Sequence, residues 1–165
     1  TYNIYKIFIS GVSPSTVQTQ VRYKWLTSGS TEETSSTYYG LSNIVYRQES
    51  NNAGGDGAEK YNAHDYGTLT TWGGMSDNED HTGSNMWDLT LFDPYRNHQN
   101  ASRWGGNVNF QGSYSYEGGS NNYYQIMMNT TYVTRTTNTY SGIKFYLTSG
   151  NFRQSGTITI YGLKA

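Results

Sequence analysis

Val21-Arg22-Tyr23-Lys24-Trp25-Leu26 places Val21, Tyr23 and Trp25 on one side of an extended backbone and Arg22 and Lys24 on the other. Successive strand side chains point to opposite faces, so the segment reads as a strand half buried against a core. The same alternation recurs along the chain. Over residues 2–12, Tyr5, Ile7 and Ile9 share one face and Ile4 and Phe8 the other, which predicts a strand covered on both sides. In residues 86–92, Trp87, Leu89 and Leu91 oppose Asp88 and Thr90 until Asp93-Pro94 stops the strand, so core packing is expected for Trp87. Ile143, Phe145 and Leu147 alternate with Lys144 and Tyr146, and Ile158 and Ile160 with Thr157, Thr159 and Tyr161. The stretch between them, residues 148–156, reads as a hairpin connection with Gly where positive φ is needed.

Further strands are predicted over residues 38–48, 66–72 and 108–116, with 123–128 and 130–136 close enough to form a hairpin. Residues 51–57, Asn-Asn-Ala-Gly-Gly-Asp-Gly, read as loop. Helix formers are sparse and β-branched and aromatic residues dense. The expected fold is all-β: a single antiparallel β-sandwich spanning residues 1–165, jelly-roll-like, with long polar loops.

Composition sharpens this. Gly, Ser, Thr and Asn supply 74 of 165 residues, while Leu, Ile, Val and Phe supply only 26. So few aliphatics often mark disorder. Disordered chains are also poor in aromatics and rich in net charge, yet this one has 17 Tyr, 4 Trp and a net charge of −1. Its apolar content is aromatic, and each buried ring removes roughly 150–250 Å² from water. Lys and Arg are scattered singly, so no basic face for nucleic acid is expected. The absence of Cys removes disulfides, Cys-ligated zinc and thiol nucleophiles. No stretch approaches the ~20 apolar residues of a spanning helix, and the first residues lack a signal-peptide pattern, so no membrane insertion is expected. The chain opens on Thr1 and is expected to be processed or cut from a longer polypeptide.

The two ends also carry a family resemblance. Residues 2–15, of the form aromatic-x-x-aromatic-x-Ile-x-Ile-Ser-Gly-Val-Ser-Pro-Ser, lead into Val21-Arg22-Tyr23-Lys24-Trp25. Residues 141–163 run from Ser141-Gly142-Ile143-Lys144-Phe145-Tyr146 to Gly156-Thr157-Ile158-Thr159-Ile160-Tyr161-Gly162-Leu163, and Leu89-Thr90-Leu91-Phe92-Asp93-Pro94 lies between. This combination resembles β-sandwich domains of virion proteins from marine tailed phages, notably cyanophages. The resemblance implies a closing hairpin at the C-terminus, a place in the virion, and a non-enzymatic role. Such domains form the distal ends of tail fibres, and that is the leading expectation here: a homotrimer that would meet a host-surface glycan or envelope protein. They also occur as capsid decoration or tail proteins whose partners are other virion proteins. A carbohydrate-binding module is the alternative from outside the virion.

Candidate site residues fall in the polar middle. Trp72 and Trp104 each precede Gly-Gly, which would hold an indole at a loop tip to stack on a sugar. Edge packing is the plainer account of either. His64, His81 and His98 recur at equal spacing, and imidazole is a common metal ligand. No HxH or HxxxH pair sets two of them together, so solvated loop residues explain them as well. Asp77, Glu79 and Asp80 concentrate acidic oxygens of the kind calcium takes, but without the alternating register of a calcium loop. No cofactor is therefore expected. Catalysis has little support: no Gly-x-Ser-x-Gly elbow occurs, and Asp65, Asp88 and Glu117 lack an apolar context to raise a carboxyl pKa.

Overall fold

The computed structural model describes residues 2–48, 53–71, 74–76, 85–92, 94, 105–118, 122–136, 138–153 and 156–164. Eleven strands and no helix occur among them: β1 (Ile4–Ser10), β2 (Val21–Ser28), β3 (Thr31–Glu32), β4 (Tyr38–Gln48), β5 (Gly54–His64), β6 (Gly67–Thr68), β7 (Met86–Phe92), β8 (Gly105–Gly118), β9 (Asn122–Thr134), β10 (Gly142–Leu147) and β11 (Thr157–Leu163). They form two antiparallel sheets. One has seven strands in the order β11-β1-β7-β8-β9-β4-β5, the other has β10-β2-β3 with β6 also pairing β2.

The alternating residues do what their spacing predicts. Val21, Tyr23 and Trp25 from the smaller sheet meet Ile7, Ile9, Trp87, Leu89, Leu91, Val108, Phe110, Ile126 and Met128 from the larger, all nearly inaccessible to solvent. Aromatic rings fill much of the space between. Tyr23 makes edge contacts with Trp25, Tyr38 and Tyr132 at centroid separations of 5.9–6.3 Å, and Trp25 stacks on Tyr140 at 5.0 Å. Such pairs add to the area their rings bury, so a core short of aliphatics still coheres.

Several expectations are corrected. Residues 54–57 belong to strand β5, because a hairpin partner needs only main-chain groups, and Gly54–Gly57 pair in register with Arg47–Ile44 of β4. Residues 123–136 do not form a hairpin. They hold the single strand β9, whose hairpin partner is β8. The last two strands do not form one either: β10 pairs with β2 and β11 with β1, so residues 148–156 cross from one sheet to the other. Gly150 supplies the expected positive φ there, at 67°. Of the described residues 66–71, only Gly67 and Thr68 are strand. Finally, β1 is covered on one face alone, and Phe8 is exposed.

Glu33 is a buried acid at the end of the smaller sheet, 3% exposed. The Ser35 N–H donates to its Oε1 at 3.1 Å and Asn138 Nδ2 to its Oε2 at 2.6 Å. Burial pushes its carboxyl up, but these bonds outweigh burial and hold it below the ordinary carboxylate value. A depressed pKa contributes stability above the unfolded value and loses it as pH falls through the folded one. Thermal stability should therefore fall as pH drops below about 4. In Glu33→Gln that acid loss should be shallower, read by melting across a pH series.

Candidate functional site

The two outer faces of the sandwich differ in chemistry. On the smaller sheet, Lys24 pairs with Asp65 at 3.4 Å and Glu32 at 3.5 Å, and Lys144 with Glu32 at 2.5 Å. The Arg22 guanidinium sits 3.7 Å from the centre of the Tyr66 ring. This is a charged, internally paired surface that water already satisfies.

The larger sheet turns apolar side chains outward. Register puts Met86 of β7 opposite Ser113 of β8, Ser113 opposite Met127 of β9, and Met127 opposite Val45 of β4, one row across four strands. Met86, Met127 and Val45 are 53%, 61% and 57% exposed. The adjacent row holds Phe8, Asp88, Gln111, Asn129 and Asn43, and together the rows line a shallow groove of about 660 Å³. Leu41 and Tyr161 extend the apolar surface to either side. The charge bordering the groove is met locally, since Lys6 Nζ donates to Asp88 Oδ1 at 2.9 Å. The result is a broad neutral face with two pliable thioether side chains at its centre, suited to packing against a protein surface.

Of the sequence-predicted site residues, Trp72, Trp104, His81, His98, Asp77, Glu79 and Asp80 lie outside the described residues. His64 ends β5, half buried, with its ring 5.9 Å from Tyr61 and 5.3 Å from Tyr66. A β-bulge just before it, with Ala63 at φ 52°, shifts the register so that His64 pairs with Tyr38. Among the described residues no three His, Asp or Glu side chains gather as a metal site. Asp65 is in the salt-bridge network, and Glu117 accepts from Ser76 Oγ at 3.3 Å.

The described flanks of the polar segments are tightly held. Thr71, just before residues 72–73, gives its N–H to Tyr114 Oη at 2.8 Å, and Tyr114 Oη donates back to the Thr71 carbonyl. Met75 N–H donates to Thr19 O at 2.8 Å. Ser76 and Asn85 are both held on Ser115: Ser76 N–H donates to the Ser115 carbonyl at 2.9 Å and Ser115 N–H to Asn85 Oδ1 at 3.0 Å. Asn85 Nδ2 is fixed in turn on Val12 O at 2.9 Å. Residues 95–104 are flanked by Pro94 and Gly105, near the opposite end of β7.

Comparison with family models, with curated proteins and with solved structures finds no match to this chain.

Proposed function

We propose that this chain is a non-enzymatic structural protein of a tailed-phage virion, held in the particle by contacts with other virion subunits. The virion assignment is supported by the resemblance in residues 2–15, 21–25 and 141–163. The docking role is supported by one observation above all, the exposed apolar row of Met86, Met127 and Val45 with Phe8 beside it. A solvated face has no use for it, and the paired charges on the opposite sheet are what a solvated face requires. A tail-fibre tip that meets a host glycan or envelope protein is the second reading. It is favoured by the hydrogen bonds that hold Thr71, Met75, Ser76 and Asn85, the residues beside 72–73 and 77–84, which would give a recognition element a fixed base.

Two charged substitutions at exposed positions, Val45→Lys with Met127→Glu, should leave melting within about 0.5 kcal/mol of the parent and abolish incorporation into particles. Immunogold labelling and mass spectrometry of purified virions read the outcome. A domain never found in particles overturns the virion assignment. Normal incorporation of the double variant overturns docking through this face, and loss of host adsorption with incorporation intact supports the fibre-tip reading.

A further inference from the structure

The seven-stranded sheet ends in two unlike edges. β5 carries Asp56, Glu59 and Lys60, which discourage pairing with another chain. β11, Thr-Ile-Thr-Ile-Tyr-Gly-Leu, has no charged residue, no Pro and no bulge in its pairing with β1. Among the described residues nothing pairs with its far side. Each of its faces carries exposed apolar side chains, Ile158 and Ile160 on one and Tyr161 and Leu163 on the other. Ile158 and Ile160 share the core-facing side with Ile9 and Ile7, yet are 49% and 57% exposed, because the smaller sheet does not reach over them. Behind Ile160 a cleft of about 260 Å³ opens between the sheets, lined by Tyr5, Ile7, Trp25, Leu91 and Ile143. Among the described residues this side of the sandwich is thus open: a strand edge without a main-chain partner borders an apolar cleft into the core.

We propose that β11 is a homotypic interface, pairing antiparallel with β11 of a second copy about a two-fold axis through Thr159. The occupant is argued from self-complementarity. Side chains directly opposite in an antiparallel pair share a face, so a two-fold pairing must join residues of the same parity. Centring on Thr159 sets Ile158 against the partner's Ile160 and Ile160 against the partner's Ile158 on the inner face, with Thr159 meeting its own copy on the outer face. β-Branched and Thr–Thr pairs are favourable neighbours across strands. No like charges meet, since the strand has none and the two Lys164 residues fall at opposite ends of the joint. The pairing fuses two seven-stranded sheets into one and covers both clefts with isoleucine, an isologous contact that closes after two copies. It lies at the edge of the sheet, so the outer face remains available to another partner.

The chain has no native cysteine, so single-cysteine variants report the register cleanly. Opposed Cα atoms in such a pair lie about 4.5–5.5 Å apart, within disulfide reach. Under oxidising, non-denaturing conditions Thr159→Cys should form a covalent dimer nearly completely. Tyr161→Cys, whose copies would stand about 14 Å apart, should remain single. Ile158→Cys and Ile160→Cys should each stay single and cross-link only when mixed. In sedimentation at micromolar concentration the parent should run as a dimer and Thr159→Lys as a monomer. An equimolar mixture of Thr159→Lys with Thr159→Glu should restore the dimer, which also shows that neither variant is misfolded. A parent that is monomeric at every concentration, a trimer, or equal cross-linking at residues 159 and 161 overturns the proposal.

Discussion

Replacing Gly112 or Gly67 by Ala should each cost about 3 kcal/mol and lower the melting temperature by roughly 6–12 °C for a chain of this size. A Cβ on Gly112 would lie 2.1 Å from Cδ1 of Trp87, and one on Gly67 would lie 2.1 Å from Cε1 of Tyr23. Neither ring has room to yield. Trp87 is held by its Nε1 hydrogen bond to Leu69 O at 2.8 Å and by stacking on Tyr114 at 6.4 Å. Tyr23 is enclosed by Trp25, Tyr38 and Tyr132. Strand Gly is normally a weakness that a side chain would relieve. Here the rings lie flat on the bare backbone, so the usual gain from Ala reverses. The double variant is decisive: in a Trp87→Leu background, Gly112→Ala should cost less than about 0.5 kcal/mol, because the clash is gone. Equal costs in both backgrounds, measured by chemical denaturation, would remove the ring-seat explanation.

This pairing of rings with glycines explains what was and was not legible in the sequence. The strands with clean alternation, such as Val21-Arg22-Tyr23-Lys24-Trp25 and Met86–Phe92, were readable because each side chain's face follows from its parity. A residue such as Gly112 carries no such signal. Its reason for being glycine is a tryptophan 25 positions away in the chain and opposite it in the sheet. The first residues of β5, 54–57, look like loop for a related reason: their glycines resemble turn residues, whereas an edge strand asks only for main-chain hydrogen bonds on one side. The C-terminal strands were readable as strands, but their assignment to different sheets was not, since local pattern does not say which partner a strand takes. The outer apolar face left a partial trace. Ile44-Val45 and Ile126-Met127-Met128 break strict alternation, a pattern that leaves an apolar residue on each face of its strand. What the pattern lacked was the register that brings Met86, Met127 and Val45 into one row.

Tyr114→Phe and Tyr23→Phe remove the same atom and should have opposite effects. In Tyr114→Phe the Thr71 N–H and carbonyl both lose their partner at a residue only 2% exposed, and the expected cost is about 1–3 kcal/mol. Amide exchange of Thr71 should quicken, with smaller changes at Met75 and Ser76, because this hydroxyl holds Thr71 against β8. Tyr23 Oη is buried without a hydrogen-bond partner among the described residues. Its removal relieves a desolvated hydroxyl, so Tyr23→Phe should be neutral or stabilising by up to about 1 kcal/mol. Two equal losses would mean that the hydroxyls serve packing alone. The comparison also separates the two functional readings. Tyr114→Phe disturbs the flank of residues 72–73 and leaves Met86, Met127 and Val45 in place. Assayed well below its melting temperature, it should enter particles normally if the outer face does the docking. If residues 72–73 belong to the recognition element, the same variant should be incorporated but adsorb poorly to host cells.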